Sequence, residues 1–203
     1  ENYKSLLLKE GAEQGFLNKE AKNLIIGKTF IDLGALVQDN PTKVSTSNRS
    51  EDGIVCKINK NGFKEILNEL VLEKKVYVLG ICIGLQIMSK SSNEGFLEGF
   101  GWLDIETTNI NIKNNSYKVP HMGWNEINMI KECPLLNGLY GEEFYFLHSF
   151  NLFDEFNTYT SSTSPYGSPI VASISYQNIF GTQFHPEKSH TQGLKVLQNF
   201  SLL

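Results

Sequence analysis

Cys82 stands in Gly80-Ile81-Cys82-Ile83-Gly84, where an apolar run, Val76-Tyr77-Val78-Leu79, meets a stretch of helical character, Leu85-Gln86-Ile87-Met88. Near the end of the chain comes His185-Pro186-Glu187. Small residues around a reactive one suit a strained strand-to-helix turn, because glycine lets the backbone bend sharply and lift the side chain clear of a sheet. A thiol there sits at the start of the following helix, where the dipole and free N–H groups favour thiolate, the form that attacks a carbonyl. His185 would take and return the proton. Glu187, on the same side of an extended chain, would orient the imidazole. The pattern reads as a Cys-His-Glu triad for acyl transfer.

A cysteine that follows an apolar strand is ordinarily a small core residue. The glycine bracket and the distant His-x-Glu move the reading of Cys82 to a nucleophile. Cys56 and Cys133 have no such bracket, and no two of the three cysteines lie at metal-ligand spacing, so both read as core thiols, with no metal and no cofactor expected. The chain of 203 residues has a formal net charge of −4 and no Lys/Arg cluster, which gives nucleic-acid or anionic-membrane binding little support. No apolar run reaches transmembrane length, and the opening Glu1-Asn2-Tyr3-Lys4 is not a signal peptide, so a cytoplasmic setting is expected. The absence of an initiator Met suggests that translation begins elsewhere.

The elements that must position the triad follow from the hydrophobic rhythm. Asn23-Leu24-Ile25-Ile26, Thr29-Phe30-Ile31 and Gly53-Ile54-Val55 look like strands, and Phe63, Ile66, Leu67 and Leu70 carry helical spacing up to Leu72. Strand, helix and elbow strand in series predict a parallel crossover with Cys82 at the carboxyl edge of the sheet, where such folds bind ligands. After Gly101 the alternation from Ile105 to Ile112 reads as antiparallel ribbon, followed by strands at Phe144–His148 and Ile170–Ile174 and by Thr182-Gln183-Phe184. A last helix from about Gly193 is expected to bury Leu194, Leu197 and Phe200. The whole predicts one α/β domain over residues 1–203, a mostly parallel sheet flanked by helices with an antiparallel ribbon.

Four motifs together narrow the reading: Gly80 to Gln86, Lys118-Val119-Pro120-His121-Met122-Gly123-Trp124-Asn125, Tyr145-Phe146-Leu147-His148-Ser149, and Gly181-Thr182-Gln183-Phe184-His185-Pro186-Glu187-Lys188-Ser189. The first and last resemble the class I glutamine amidotransferases, which have a flavodoxin-like core. With the Pro-His-Met-Gly-Trp-Asn run, residues from about 60 to 203 resemble the HisH family, the glutaminase subunits of imidazole glycerol phosphate synthase. The resemblance implies glutamine hydrolysis through a cysteine thioester, with ammonia passed to a (β/α)8 barrel partner of the HisF type in histidine biosynthesis, as one half of a heterodimer. Cys82 is then the nucleophile, His185 the acid/base and Glu187 the orienter. Ile83 and Gly84 would line the oxyanion and substrate site through their backbone, and Gln86, Ser149 and Phe150 would hold the glutamine. The family often has tyrosine where this chain has Phe150, so a hydroxyl contact is lost there. Pro120, His121, Met122, Gly123, Trp124, Asn125 and Lys188 would face the partner.

Residue type alone leaves several of these open. Trp124 and Met122 read as core or as interface. His148, inside an apolar run, reads as a hydrogen-bonded structural histidine, and Lys188 reads also as a solvated charge. The first 59 residues depart from the family pattern: Ile31-Asp32-Leu33-Gly34 only loosely echoes the opening turn, and Glu51-Asp52-Gly53-Ile54-Val55 runs into Cys56-Lys57-Ile58 without the Pro-Gly pair of the oxyanion loop. The departure implies a weak or inactive glutaminase, a substitute segment, or a first third that is not the native sequence throughout, and the last is the expectation. Two alternatives stay beside the histidine-pathway reading. One is a paralogue that supplies ammonia for sugar amidination; the other is a catalytically silent binding module on the same scaffold.

Overall fold

The computed structural model describes residues 23–26, 63–95, 98–110 and 117–203. The expected strands at Thr29–Ile31 and Gly53–Val55, the Ile31–Gly34 turn, Cys56, and the end of the expected ribbon at Asn111 and Ile112 lie outside the described residues. Strand β1 (Asn23–Ile26) precedes helix α1 (Phe63–Asn68), which runs on into a π-helical turn (Glu69–Glu73) and then into β2 (Tyr77–Ile81). The helix expected from Phe63 to Leu72 is therefore present. It buries Leu67 and Val71 and is tied to the strand after it by Asn178 Nδ2, which donates to the carbonyls of Val71 and Val76 at 2.9 Å each.

After helix α2 (Ile83–Gln86) come β3 (Ser89–Ser92), β4 (Leu103–Asn109), β5 (His121–Glu126) and β6 (Asn128–Met129). Strands β7 (Glu143–His148), β8 (Phe150–Phe153), β9 (Thr160–Tyr166), β10 (Ser168–Tyr176) and β11 (Ile179–Thr182) follow, and α3 (His190–Ser201) closes the chain. One sheet has the order β1-β2-β11-β10-β9-β6. Among the described residues its first three strands are parallel, and β10, β9 and β6 are added antiparallel, so the sheet is mixed. The β10 to β11 connection is a hairpin, which can only be antiparallel, and that is why the parallel half stops at β11.

Period-two alternation along β2 and β11 sends neighbours to opposite faces, and a register irregularity in β10 between Val171 and Ile174 sets those two on the same face. Val78, Val171, Ile174 and Ile179 join a core with Leu67, Val71 and Leu85, whereas Leu79, Ala172 and Phe180 join a second core with Phe144, Phe184 and Phe200. The sheet is thus covered on both faces. The strand expected as a plain antiparallel ribbon, β4, pairs with β8 antiparallel but with β3 parallel, because the chain returns from β3 by a crossover and not by a hairpin.

The terminal helix starts at His190 and buries Gly193, Val196, Asn199 and Phe200. Leu197 packs at the margin of the core, but Leu194 is 55% exposed, contrary to expectation. The reason is Gly193. A Cβ at that position would lie 1.8 Å from the carbonyl oxygen of Pro186, so the helix presses its glycine side against the His185-Pro186 turn and turns Leu194 outward. Gly80 makes a similar approach on the other side of the site, where a Cβ would stand 2.6 Å from the Gly84 carbonyl oxygen. Gly80→Ala should therefore force strand β2 and helix α2 apart and cost roughly 1–3 kcal/mol. Thermal unfolding checks this: a melting temperature several degrees lower is expected, and an unchanged one would show that the turn has room.

Candidate active site

The elbow is built where two parallel strands end together. Register pairs Gly80 with Gly181 and Ile81 with Thr182, and the Cys82 N–H then donates to the Thr182 carbonyl at 2.7 Å. At Cys82 the backbone turns to φ 52 and ψ −107, a left-handed conformation that an L-residue with a side chain adopts at a cost. Helix α2 begins at once. Its ladder starts with the N–H groups of Leu85 and Gln86, both on the Cys82 carbonyl at 3.0 and 3.1 Å, which leaves the N–H groups of Ile83 and Gly84 without a helical acceptor. Those two amides belong to the residues that directly follow Cys82.

Past Thr182 the chain runs on to His185 and Glu187. The His185 N–H donates to the Tyr145 carbonyl at 2.9 Å, and the turn Pro186–Lys188 is held by the Ser189 hydroxyl, which donates to the His185 carbonyl at 2.7 Å and accepts from the Tyr145 N–H at 3.0 Å. Nδ1 of His185 and Oε1 of Glu187 are 2.7 Å apart. The opposite ring nitrogen, Nε2, is buried without a hydrogen-bond partner of good geometry, and its close neighbour is Cys82. Such contacts commonly tighten only when substrate is bound.

Burial works against charge on His185, but the hydrogen-bonding and attraction of Cys82, and after it of Glu187, outweigh burial and raise the imidazole from 6.5 to about 9. Glu187 moves the opposite way: burial opposes its charge, yet the hydrogen bond and charge of His185 hold it below its usual 4.5. Both shifts favour an imidazolium on a carboxylate. Cys133, by contrast, is buried in the second core, and burial pushes its thiol up.

Gln86 is buried, and its Nε2 donates to the Phe150 carbonyl at 2.9 Å and to Gln183 Oε1 at 3.0 Å. The Phe150 carbonyl also accepts from His148 Nδ1 at 2.8 Å, and the Ser149 carbonyl accepts from the Ile110 N–H at 3.0 Å. Both lone pairs of the Phe150 carbonyl are thereby used. Burial keeps His148 neutral, with its pKa lowered to about 3, and the ring is 2.9 Å from Nδ1 of His121.

The expected partner face divides along strand β5. His121 is completely buried, stacked on Tyr166 at 3.8 Å and on Phe146 at 4.7 Å, so it cannot meet a partner directly. Strand alternation is the cause, since Met122 and Trp124 take the other side and are 63% and 40% exposed. Trp124 is therefore not core. It lies flat on His190 at 5.0 Å and edge-on to Tyr145 at 6.1 Å, while the Lys188 ammonium stands 5.7 Å over the Tyr145 ring. Pro120 is exposed, and Gly123 and Asn125 are half-buried. Gln183 was not anticipated as part of the site. Its position became readable only from the strand register that sets it next to Cys82.

A strained cysteine thus lies between a parallel strand and a helix, beside a His-Glu pair just past the end of the adjoining strand. Glutamine amidotransferase class-I matches residues 41–202, and the chain belongs to that family. It is 40% identical over 157 residues to the imidazole glycerol phosphate synthase subunit HisH of Leptospira interrogans, covering 76% of this chain and 77% of that one. HisH of Pelagibacter ubique is 43% identical over 142 residues, 69% of this chain and 68% of its own, and HisH 1 of Campylobacter jejuni is 37% identical over 191 residues, 88% and 93%. Within the class-I family the chain thus falls with the HisH subunits, which makes it a glutamine-hydrolysing enzyme subunit. Among solved structures, one titled as a glutamine amidotransferase superimposes with a TM-score of 0.56 at 12% identity, over 89% of this chain and 79% of that one, and supports the fold.

The charge state of His185 gives a signed expectation. Its raised pKa means that the protonated ring is favoured by the fold, with the stabilisation complete below 6.5 and lost as pH rises through about 9. The lowered pKa of Glu187 adds stabilisation that is present above 4.5 and lost as pH falls. An NMR titration should find the His185 midpoint near 9, falling in Cys82→Ala and falling less in Glu187→Gln, because Cys82 is the stronger of the two raising influences. A midpoint at the ordinary histidine value, unmoved by Cys82→Ala, would contradict the ion-pair picture.

Proposed function

We propose that this chain hydrolyses L-glutamine to glutamate and ammonia through Cys82, His185 and Glu187, and hands the ammonia to a (β/α)8 cyclase of the HisF type for the formation of imidazole glycerol phosphate and AICAR. It acts as one half of a heterodimer in the cytoplasm and as a single amidotransferase domain. The observation that carries the reading is the strained Cys82 turn, clamped to the end of strand β11 from which the His185–Glu187 pair projects.

In the reaction, the Cys82 thiolate attacks the carboxamide carbon of glutamine and the carbonyl electrons move to oxygen. Ile83 and Gly84 N–H groups stabilise that oxyanion. His185 gives its proton to the nitrogen, the C–N bond breaks and ammonia leaves, so that a γ-glutamyl thioester remains. Neutral His185 then takes a proton from water, the hydroxide attacks the thioester, the C–S bond breaks and glutamate departs. Glu187 keeps Nδ1 protonated and Nε2 facing the reacting atoms throughout. With the Phe150 and Ser149 carbonyls engaged within the protein, contact with the substrate backbone falls to the N–H groups of that segment and to the Ser149 hydroxyl.

Met122, Trp124 and Leu147 form an outward apolar patch flanked by Lys188, and Leu147 is also the residue whose carbonyl lies 3.7 Å from the Cys82 sulfur. Docking on this patch places the partner's ammonia entry against the thiol. A glutaminase that feeds another enzyme wastes substrate unless it waits for the acceptor. The expected device is an oxyanion N–H that turns into place on docking and acts on kcat more than on KM.

Three outcomes are expected. Cys82→Ala should abolish glutamine hydrolysis while leaving the fold intact, and a glutamine-like diazo ketone should label Cys82 but not Cys56 or Cys133; retained turnover or equal labelling would refute the triad. Trp124→Ala should weaken partner association by roughly 2 kcal/mol or more, with a melting temperature close to wild type because the indole is a surface group. A destabilised monomer with unchanged affinity would remove Trp124 from the interface. Glutamate release should be nearly silent for the chain alone and rise on addition of the barrel partner, and full turnover by the lone chain would exclude activation by docking.

A further inference from the structure

We propose that Gln183 is a positioning residue of this centre, a buried carboxamide that donates a hydrogen bond to the reacting sulfur of Cys82 and is held in that orientation by Gln86. The inference rests on the reading of Cys82 as nucleophile. Gln183 Nε2 lies 3.6 Å from Cys82 Sγ, within range for a donor to sulfur, and its Oε1 accepts from Gln86 Nε2 at 3.0 Å. The residue is completely inaccessible to solvent. Its neighbours on strand β11, Ile179, Phe180, Gly181 and Thr182, and the Phe184 that follows are buried as well. A carboxamide there is costly unless both its ends are bonded, and both are.

The direction of the bond is decided by a backbone group. A peptide carbonyl can only accept, so the atom of Gln86 facing the Phe150 carbonyl at 2.9 Å must be its NH2. The second hydrogen of that NH2 then points at Gln183, which must answer with its oxygen. The amide nitrogen of Gln183 is left toward Cys82, and no flip of either side chain preserves the chain of bonds. His148 Nδ1 on the same Phe150 carbonyl reinforces the anchor. An N–H aimed at the sulfur favours the charged thiolate and fixes the direction of its lone pairs toward the cleft. Strand register brings the two residues together, since Gln183 and Cys82 directly follow Thr182 and Ile81, the last pair in register.

The test uses Gln183→Met, similar in length but unable to donate, and Gln183→Glu, which sets a carboxylate against the sulfur. Alkylation of Cys82 by iodoacetamide, followed across pH by peptide mass spectrometry, should be half-maximal at a higher pH in Gln183→Met than in wild type, and higher still in Gln183→Glu. In the complex with the barrel partner, kcat for glutamine should fall about tenfold to a hundredfold, as expected for loss of a hydrogen bond to a charged group, with KM changed much less. A folded Gln183→Met with the wild-type alkylation profile overturns the proposal. If the substitutions prevent folding, the native chain still decides: the side-chain amide resonance of Gln183 should shift as Cys82 titrates, and invariance overturns the proposal. The two readings fail separately, because alkylation needs no substrate. A wild-type complex that does not hydrolyse glutamine defeats the glutaminase reading, while an altered alkylation profile would still support the role of Gln183.

Discussion

The pairing of β2 with β11 is the constraint on which the site depends. Residues 82 and 185 are far apart in sequence, yet register between two short parallel strands ends both at the same edge of the sheet, and the Cys82 N–H on the Thr182 carbonyl at 2.7 Å locks the joint. Sheet geometry then does the rest. The strand that stops at Ile81 must turn into α2 over Gly80, and the strand that stops at Thr182 continues straight into Gln183 and His185. A shift of one residue in this register would move the sulfur to the other face of the sheet and separate it from the imidazole. The strain held at the elbow is opposed by packing on both faces, by Leu85 in one core and by Leu79 and Phe184 in the other.

Electrostatics around the joint is divided into two sides. His185 and Glu187 form a charged pair near the opening, while a chain of neutral amides and histidines reaches the sulfur from inside: Phe150 carbonyl, Gln86, Gln183. Neutral His148 and His121 extend that inner side toward strand β5, whose outer surface presents Met122 and Trp124. A single strand thus supplies a buried histidine to the inner network and an exposed aromatic to the surface. The alternation of side chains along β5 makes both possible.

Much of this was legible in the sequence because it is local. The glycine bracket around Cys82, the His-x-Glu spacing and the apolar runs of β2, β7 and β10 each need only neighbours along the chain. What escaped depends on partners far away. Leu194 was expected inside because helical spacing fixes a stripe but not which stripe faces the core, and the contact of Gly193 with Pro186 chose the other one. His121 sat in a motif read as interface, and only the pairing of β5 with β7, which sets it opposite His148, shows that it points inward. Among the described residues the antiparallel part of the large sheet begins at the β10 to β11 hairpin, whose Gln177-Asn178 turn carries no Gly or Pro signal. The role of Gln183 was hidden for the same reason as the others, since a glutamine in a strand says nothing until the strand beside it is known.

The central claim is that Cys82 is the atom donor to a covalent intermediate, and it is tested most directly by catching that intermediate. The chain, bound to its barrel partner and mixed with glutamine, is quenched in acid during turnover and examined by intact-mass and peptide mass spectrometry. A γ-glutamyl thioester on Cys82, absent in Cys82→Ala, is the predicted result. Glutamate released at full rate with Cys82 unmodified in every quench, or with the adduct on another residue, would contradict the account.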